Sequence, residues 1–305
     1  MTDAAQIATE LTTLVSAETV IRRNEPLAKH TTLRVGGPAD VYAEPAYDED
    51  LSFIVKFCGE HGVKFFLLGR GSNLLVRDGG FRGVVICLSH ANFSRIEING
   101  NRMRCGAGAK LKNVAVEARR NGISGMEFLE GIPGSVGGAL RMNAGAMGNA
   151  TFDVVESVRL MDFYGNIGEF MPDELSVEYR GCSTLKERIA LGAMFKGRTD
   201  SPESIAQRMS AFSQKRWTSQ PAAPSAGCAF KNPPSIPAGK LIDELGLKGT
   251  RVGGAVVSQE HGNFIVNDGS ATARDVLELI ALLKTKVKAA RGIDLHTEVE
   301  IIGED

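Results

Sequence analysis

Two glycine-dense loops hold residues whose types and spacing suit chemistry. The first is Gly69-Arg70-Gly71-Ser72-Asn73-Leu74-Leu75, directly after the apolar run Phe65-Phe66-Leu67-Leu68. The second is Gly131-Ile132-Pro133-Gly134-Ser135-Val136-Gly137-Gly138. Glycine opens positive φ and lets a ligand reach bare N–H groups. Consecutive N–H groups turned into one concavity make an anion-binding nest, and two nests suit the two phosphates of a dinucleotide. Neither loop is a standard nucleotide signature. Residue 74 is leucine where G-x-G-x-x-G needs glycine, and the chain has no G-x-x-x-x-G-K-[ST], which sets aside a P-loop NTPase. Taken singly, each loop reads equally well as a tight turn in a chain of 35 glycines.

Further motifs give the loops a context. Asn24-x-Pro26-Leu27 is followed by His30-Thr31-Thr32-Leu33-Arg34-Val35-Gly36-Gly37-Pro38-Ala39-Asp40. After the two loops come Tyr179-Arg180, Ser225-Ala226-Gly227-Cys228-Ala229-Phe230-Lys231-Asn232-Pro233 and Leu295-x-x-Glu298-Val299. In wording and order this resembles the UDP-N-acetylenolpyruvoylglucosamine reductases over nearly the whole chain. The resemblance implies an α+β chain: a two-part FAD-binding fold of the vanillyl-alcohol-oxidase kind plus a C-terminal α+β substrate domain. The expected divisions are 20–88 and 89–200 for the FAD-binding subdomains and 201–305 for the substrate domain. The stretch between Arg180 and Ser201 leaves room for little more than a strand and a turn, which matches the family's shorter structural type.

The implied activity is NADPH-driven, FAD-dependent reduction of UDP-N-acetylglucosamine-enolpyruvate to UDP-N-acetylmuramate, a step of peptidoglycan precursor synthesis. Such an enol ether accepts hydride only when charge developing on its carboxylate is stabilised and the neighbouring carbon is protonated. The cofactor does the redox chemistry, and the protein positions and polarises. Arg180 fits the charge-stabilising role, because a guanidinium is permanently cationic and meets a carboxylate with a fork of donors. Glu298 matches the family's second acid. Cys228 stands at the position of the family's proton donor, which is most often serine. An ordinary thiol titrates near 8.5, far below an alcohol, so activity is expected to fail at lower pH than in a serine relative.

The resemblance carries FAD contacts onto Gly69, Arg70, Gly71, Ser72, Asn73 and Leu74 in the first loop. In the second it carries them onto Gly131, Ile132, Pro133, Gly134, Ser135, Gly137 and Gly138, with Asn143 and Gly145 beyond. Arg34 either approaches the flavin or supports the turn at Gly36-Gly37. Lys231 and Asn232, with Gly227, are assigned to the substrate, whose diphosphate and uridine suit an ammonium and an amide. Tyr179 is open between a hydrogen bond to substrate, a stack on the flavin and a structural role. Cys182, where relatives commonly have serine, reads as a neutral variation. No metal ligand set stands out.

Two other readings compete. A flavin-linked oxidase of another small molecule should lack the Ser225–Pro233 and Leu295–Val299 motifs. A non-catalytic nucleotide-sugar-binding protein should have lost Arg180, Cys228 and Glu298 together. The chain keeps all of these.

Composition adds bounds. The net charge of −1 gives no electrostatic reason to expect nucleic acid or a membrane surface. The first twenty residues carry Asp3, Glu10 and Glu18 and no apolar core, unlike a signal peptide. Five scattered cysteines suggest neither a disulfide framework nor a zinc cluster. Cys58, Cys87 and Cys105 read as buried packing residues. Together these point to the cytoplasm, and a monomer is the expected state.

The elements that must position the motifs alternate along the chain. Asp48 is expected to cap a helix bearing Leu51, Ile54, Val55 and Cys58 and ending near Gly62. Leu111, Val114, Ala115 and Ala118 form a second stripe, stopped by Asn121-Gly122. Asn99-Gly100 is expected to turn a hairpin through a type I′ turn, and Tyr164-Gly165-Asn166 a second one. Ser201-Pro202 starts a helix with Ile205, Met209 and Phe212 on one face. Pro221 to Pro224 reads as an interdomain linker. Strands are expected at 255–257, 264–266 and 298–302. Thr272 and Asp275 box the start of a long helix with Val276, Leu279, Ile280, Leu283 and Val287.

Overall fold

The computed structural model describes residues 3–305. The chain is α+β and divides into two compact units that interleave in sequence. One comprises 1–23, 41–70 and 83–214, and the other 24–40, 71–82 and 215–305.

The first unit has two cores. In one, the helix Asp48–Glu60 lays Leu51, Ile54, Val55 and Cys58 against Val41, Ala43, Val84 and Ile86. The latter four belong to a four-stranded sheet ordered Val20–Pro26, Pro38–Glu44, Phe81–Cys87, Phe65–Leu68. The helix Ala4–Leu14 adds Ile7, Ala8 and Leu11 to this core. The other core lies on a five-stranded sheet ordered Ile167–Phe170, Val155–Asp162, Arg188–Lys196, Arg102–Gly106, Ile96–Asn99, in which every pair is antiparallel. The helix Leu111–Arg120 buries the four residues of its stripe there and ends before Gly122, at φ +63. Between Arg180 and Ser201 the chain makes one long strand, two short ones and a 3-10 turn.

Three sequence expectations shift by a few residues. Asn99 pairs with Arg102, so the hairpin turns on Gly100-Asn101, and only Gly100 of that pair takes positive φ, +60. Glycine first is the demand of a type II′ turn, whereas type I′ needs positive φ at both positions. Asp48 is not the helix cap. It pairs with Arg159 at 2.5 Å, and the cap position falls to Tyr47. Pro224 accepts from Asn267 N–H and the unit boundary lies at Gln214–Lys215, so the Pro221–Pro224 segment lies inside the second unit.

The second unit packs the helix Ala273–Arg291 on a sheet ordered Ser225–Cys228, Phe264–Asn267, Ala255–Val257, Arg251–Val252. Thr272 and Asp275 close the capping box, and Gly292 at φ +68 ends the helix. Asp78 adds a second cap from afar, its carboxylate accepting from Ala273 and Arg274 N–H at 2.9 Å each. A short parallel pair, Leu74–Val76 with Glu300–Ile302, completes the unit.

Asp50 carries the entry to the first unit's helix. It is buried and accepts from Ser16 N–H and hydroxyl at 2.8 Å each, Thr19 hydroxyl at 2.7 Å and Tyr47 N–H at 3.3 Å. Burial pushes its carboxyl up, but these donors, Ser16 N–H foremost, outweigh burial and hold it below the ordinary value. A depressed folded value contributes stability that is complete above the unfolded value near 3.9 and lost as pH falls through the folded one. Asp50→Asn is therefore expected to cost about 1–3 kcal/mol in urea unfolding at pH 7, with the gap closing below about pH 3.9. An unchanged midpoint at pH 7 contradicts this.

Candidate active site

In the first unit, Tyr179-Arg180 is the two-residue tip of a hairpin whose strands, Val177–Glu178 and Gly181–Cys182, pair Glu178 with Gly181. Arg180 takes φ +59 and Tyr179 stays negative, the pattern of a type II turn. A non-glycine residue there costs backbone strain. The hairpin is held from both sides. Buried Cys182 roots its base, with its thiol pushed up by burial, and Asn143 Nδ2 donates to Glu178 O at 3.2 Å. A Cβ on Gly145 would stand 2.5 Å from Asn149 O and 3.3 Å from an Arg180 guanidinium nitrogen. Glycine thus lets the guanidinium lie against bare backbone. The Tyr179 ring lies 5.2 Å from Arg180 Cζ, a cation–π distance. Tyr179 itself is 64 % exposed, so its ring flanks the arginine and is not part of a core.

The second glycine loop leads into the short helix Val136–Arg141. A Cβ on Gly69 would lie 3.1 Å from Ser135 Oγ and 3.9 Å from Gly138 Cα. The start of the first loop therefore meets the second across bare backbone and the Ser135 hydroxyl, groups of the kind that suit a phosphate. Three of the second loop's N–H groups are already used: Ile132 donates to Leu129 O, Val136 to Ala109 O and Gly137 to Ala107 O. At Gly137 the absent Cβ also permits close packing, since one would sit 3.1 Å from Ala107 Cβ.

The remaining motifs meet in the second unit. Gly71 holds φ +59, and a Cβ there would stand 2.3 Å from His30 O, so only glycine fits. Thr32 donates its N–H to Gly71 O at 3.1 Å and its hydroxyl to Ser225 O at 2.6 Å, tying the first loop to the Cys228 strand. On that strand Ser225 pairs with Val266 and Cys228 with Phe264, so three steps on one side match two on the other. The extra residue is a β-bulge, with Gly227 at φ +76 inside it. A bulge re-aims the side chain that follows, here the half-buried Cys228. By contrast, burial pushes the Cys58 and Cys105 thiols up to about 12 and Cys87 up as well.

Glu298 joins this strand through the backbone. Its N–H donates to Ala229 O at 2.9 Å, Lys231 N–H donates to His296 O at 2.8 Å, and Phe230 bridges Thr297. Asn73 Nδ2 donates to Glu298 O at 3.2 Å. Buried Asn263 grips the other edge. Its side chain accepts from Phe230 N–H at 2.9 Å and donates to Phe230 O at 2.8 Å, and its carbonyl takes Ala229 N–H at 2.8 Å. Lys231 and Asn232 are exposed, and the Asn232 amide oxygen accepts from Ala238 N–H at the start of the helix Ala238–Glu244. Arg34 is exposed at φ +59 between buried Leu33 and Val35.

Comparison with known proteins fits this geometry. Residues 39–170 match an FAD binding domain, and residues 220–302 match the C-terminal domain of UDP-N-acetylenolpyruvoylglucosamine reductase. Enzymes of that name from Syntrophomonas wolfei and Clostridioides difficile are 42% and 43% identical over 287 residues, 93% of this chain and 96% and 94% of theirs. The chain belongs to the UDP-N-acetylenolpyruvoylglucosamine reductase family. The crystal structure of the reductase from Thermus caldophilus superposes with a TM-score of 0.80 at 39% identity, covering 93% of this chain and 98% of that one. p-Cresol methylhydroxylase shares the fold alone, at 12% identity and a TM-score of 0.50 over 65% of this chain and 44% of that one. The FAD-binding part is thus of the vanillyl-alcohol-oxidase kind.

Cys228 and Glu298, seventy residues apart, share one backbone seam in this reductase. The sequence motifs named both residues but gave no sign of Asn263 or of the aim of Asn73, because both act through pairing register. Among the described residues no group of histidine, cysteine and acidic side chains forms a metal site. Asn263→Ala leaves the N–H and carbonyl of fully buried Phe230 without that partner. It is expected to lower stability by about 1–3 kcal/mol in urea unfolding. A loss below about 0.5 kcal/mol, the scale of an ordinary surface change, contradicts the seam's dependence on it.

Proposed function

We propose that this chain reduces UDP-N-acetylglucosamine-enolpyruvate to UDP-N-acetylmuramate with FAD as resident cofactor and NADPH as reductant, in peptidoglycan precursor synthesis. The observation that carries the residue assignment is the seam that holds Cys228 beside the Glu298 strand, with Arg180 set at a strained turn. FAD, when bound, supplies hydride chemistry: two electrons taken from NADPH pass to the terminal enol carbon. As that carbon becomes a methyl group, the former double-bond pair moves toward the substrate carboxylate. The Arg180 guanidinium takes the carboxylate in its fork of donors, where preorganised charge acts without reorganisation. Glu298 polarises the same developing enolate. The Cys228 thiol gives its proton to the carbon bearing the ether oxygen, which completes the product, and solvent reprotonates the thiolate.

Gly69, Arg70, Gly71, Ser72, Leu74 and Arg34 are assigned to FAD, with Asn73 through its main chain alone because its amide donates to Glu298 O, and with Gly131, Ile132, Pro133, Gly134, Ser135, Gly137, Gly138, Asn143 and Gly145. Within the second loop the phosphates fall to N–H groups other than those of Ile132, Val136 and Gly137. Tyr179, Gly227, Lys231 and Asn232 are assigned to the substrate. The divisions 20–88, 89–200 and 201–305 remain our functional partition, with the last serving the substrate. No helix among the described residues is long and apolar enough to cross a membrane. We place the protein in the cytoplasm as a monomer without nucleic-acid or membrane partners.

Anaerobic spectra test the reading. NADPH should bleach a flavin spectrum, and only the enolpyruvyl substrate should restore it. Recolouring by oxygen alone favours an oxidase, and a protein that takes up no FAD refutes the reading. Arg180→Ala is expected to slow the substrate-driven step by about 10²–10³. Cys228→Ser should move the alkaline limb of the pH–rate profile to higher pH, and superimposable limbs remove the thiol from the role.

A further inference from the structure

Asn73 stands among the cofactor-loop residues in sequence, yet its side chain is turned on the catalytic acid. Its Nδ2 donates to Glu298 O at 3.2 Å, and its own carbonyl accepts from Glu300 N–H at 3.0 Å. The same loop continues as the strand Leu74–Val76, which pairs in parallel with Glu300–Ile302. Glu298 is therefore fixed at both backbone poles: its N–H by Ala229 O on the Cys228 side and its carbonyl by the Asn73 amide. With both poles fixed, the peptide planes on either side of Glu298 cannot rock, and the Cα–Cβ direction of the acid is set. The neighbours Leu295 and Val299 are buried, which holds the segment from beneath, while Glu298 itself is half-buried.

We propose that Asn73 is a positioning residue for Glu298, its side chain acting on the substrate-reducing half of the reaction through the acid's backbone rather than on the flavin. The proposal rests on the reductase reading above. The main-chain bond from Glu300 to Asn73 survives any side-chain change at 73, so removal of the amide tests the Glu298 contact and leaves the strand pairing in place. A displaced acid loses catalysis steeply, because misplacement by about 1 Å can cost about 10²-fold.

The test separates the two half-reactions in stopped flow, using the FAD-loaded full chain. Asn73→Ala is expected to slow flavin reoxidation by UDP-N-acetylglucosamine-enolpyruvate by about tenfold to 10²-fold. Flavin reduction by NADPH and FAD affinity, read by fluorescence, should change less than about threefold, the factor for one weak hydrogen bond. In a Glu298→Gln background the same substitution should cost less than about threefold, because there is no acid left to place. Equal losses in both half-reactions together with weakened FAD binding make Asn73 a cofactor ligand and overturn the proposal. So does a full additive loss in the Glu298→Gln background. If Asn73→Ala does not fold, Asn73→Asp keeps the shape and removes the donor, and the same criteria apply. A parent protein that NADPH bleaches but the substrate cannot recolour overturns the reductase reading instead.

Discussion

One short backbone seam sets what the second unit can do. Residues 229–231 pair with 296–298, and the two strands reach the seam from separate sequence motifs with different neighbours. Each bond contributes only about 0.5–1.5 kcal/mol net, but a buried N–H or carbonyl left unmade costs more. Phe230 is fully buried at the centre, with Asn263 occupying its polar groups. The seam therefore cannot slip by one residue without stranding these groups and turning Cys228 to the opposite face. In this way Cys228 and Glu298, the proposed proton donor and acid, acquire from distant parts of the chain a backbone relation set by the seam.

In each unit a residue proposed to act on the substrate sits at or beside a local backbone irregularity that breaks an ordinary preference. Arg180 accepts left-handed φ, which costs strain, and Gly227 marks a bulge that interrupts an otherwise regular strand. Such departures persist where surrounding structure over-determines them. Around Arg180 that support is the Asn143 contact, the bare backbone of Gly145 and the buried Cys182 root. Around Cys228 it is Thr32 holding Ser225 and Asn263 holding Ala229. In the proposed role, a thiol there is a far stronger acid than an alcohol would be.

Local signals in the sequence were the legible ones. The stripe of Leu111, Val114, Ala115 and Ala118 with its Asn121-Gly122 stop, and the Thr272–Asp275 box, are encoded within one or two turns of chain, and they stand where expected. Where two local signals competed, the reading drifted. Asn99-Gly100 resembled a type I′ turn, but the strand register put the glycine first in the loop. Asp48 looked like a cap, while a carboxylate two residues on had Ser16 and Thr19 to satisfy. The expected strand 298–302 begins at Glu300, because Glu298 is drawn to Ala229 instead. The motif resemblance named Arg180, Cys228 and Glu298, but the roles of Asn73 and Asn263 lie in long-range register, which no single stretch of sequence displays.

Cys228 and Glu298 are proposed to form one fixed acid platform for the enolpyruvyl group, and a crystal structure of the FAD-loaded protein with UDP-N-acetylglucosamine-enolpyruvate tests it. Cys228 Sγ and a Glu298 carboxylate oxygen should both lie within hydrogen-bonding reach of that group, with the Ala229–Glu298 and Asn73–Glu298 bonds intact. An enolpyruvyl group bound away from either side chain, or a seam rearranged around it, would show that no such platform exists.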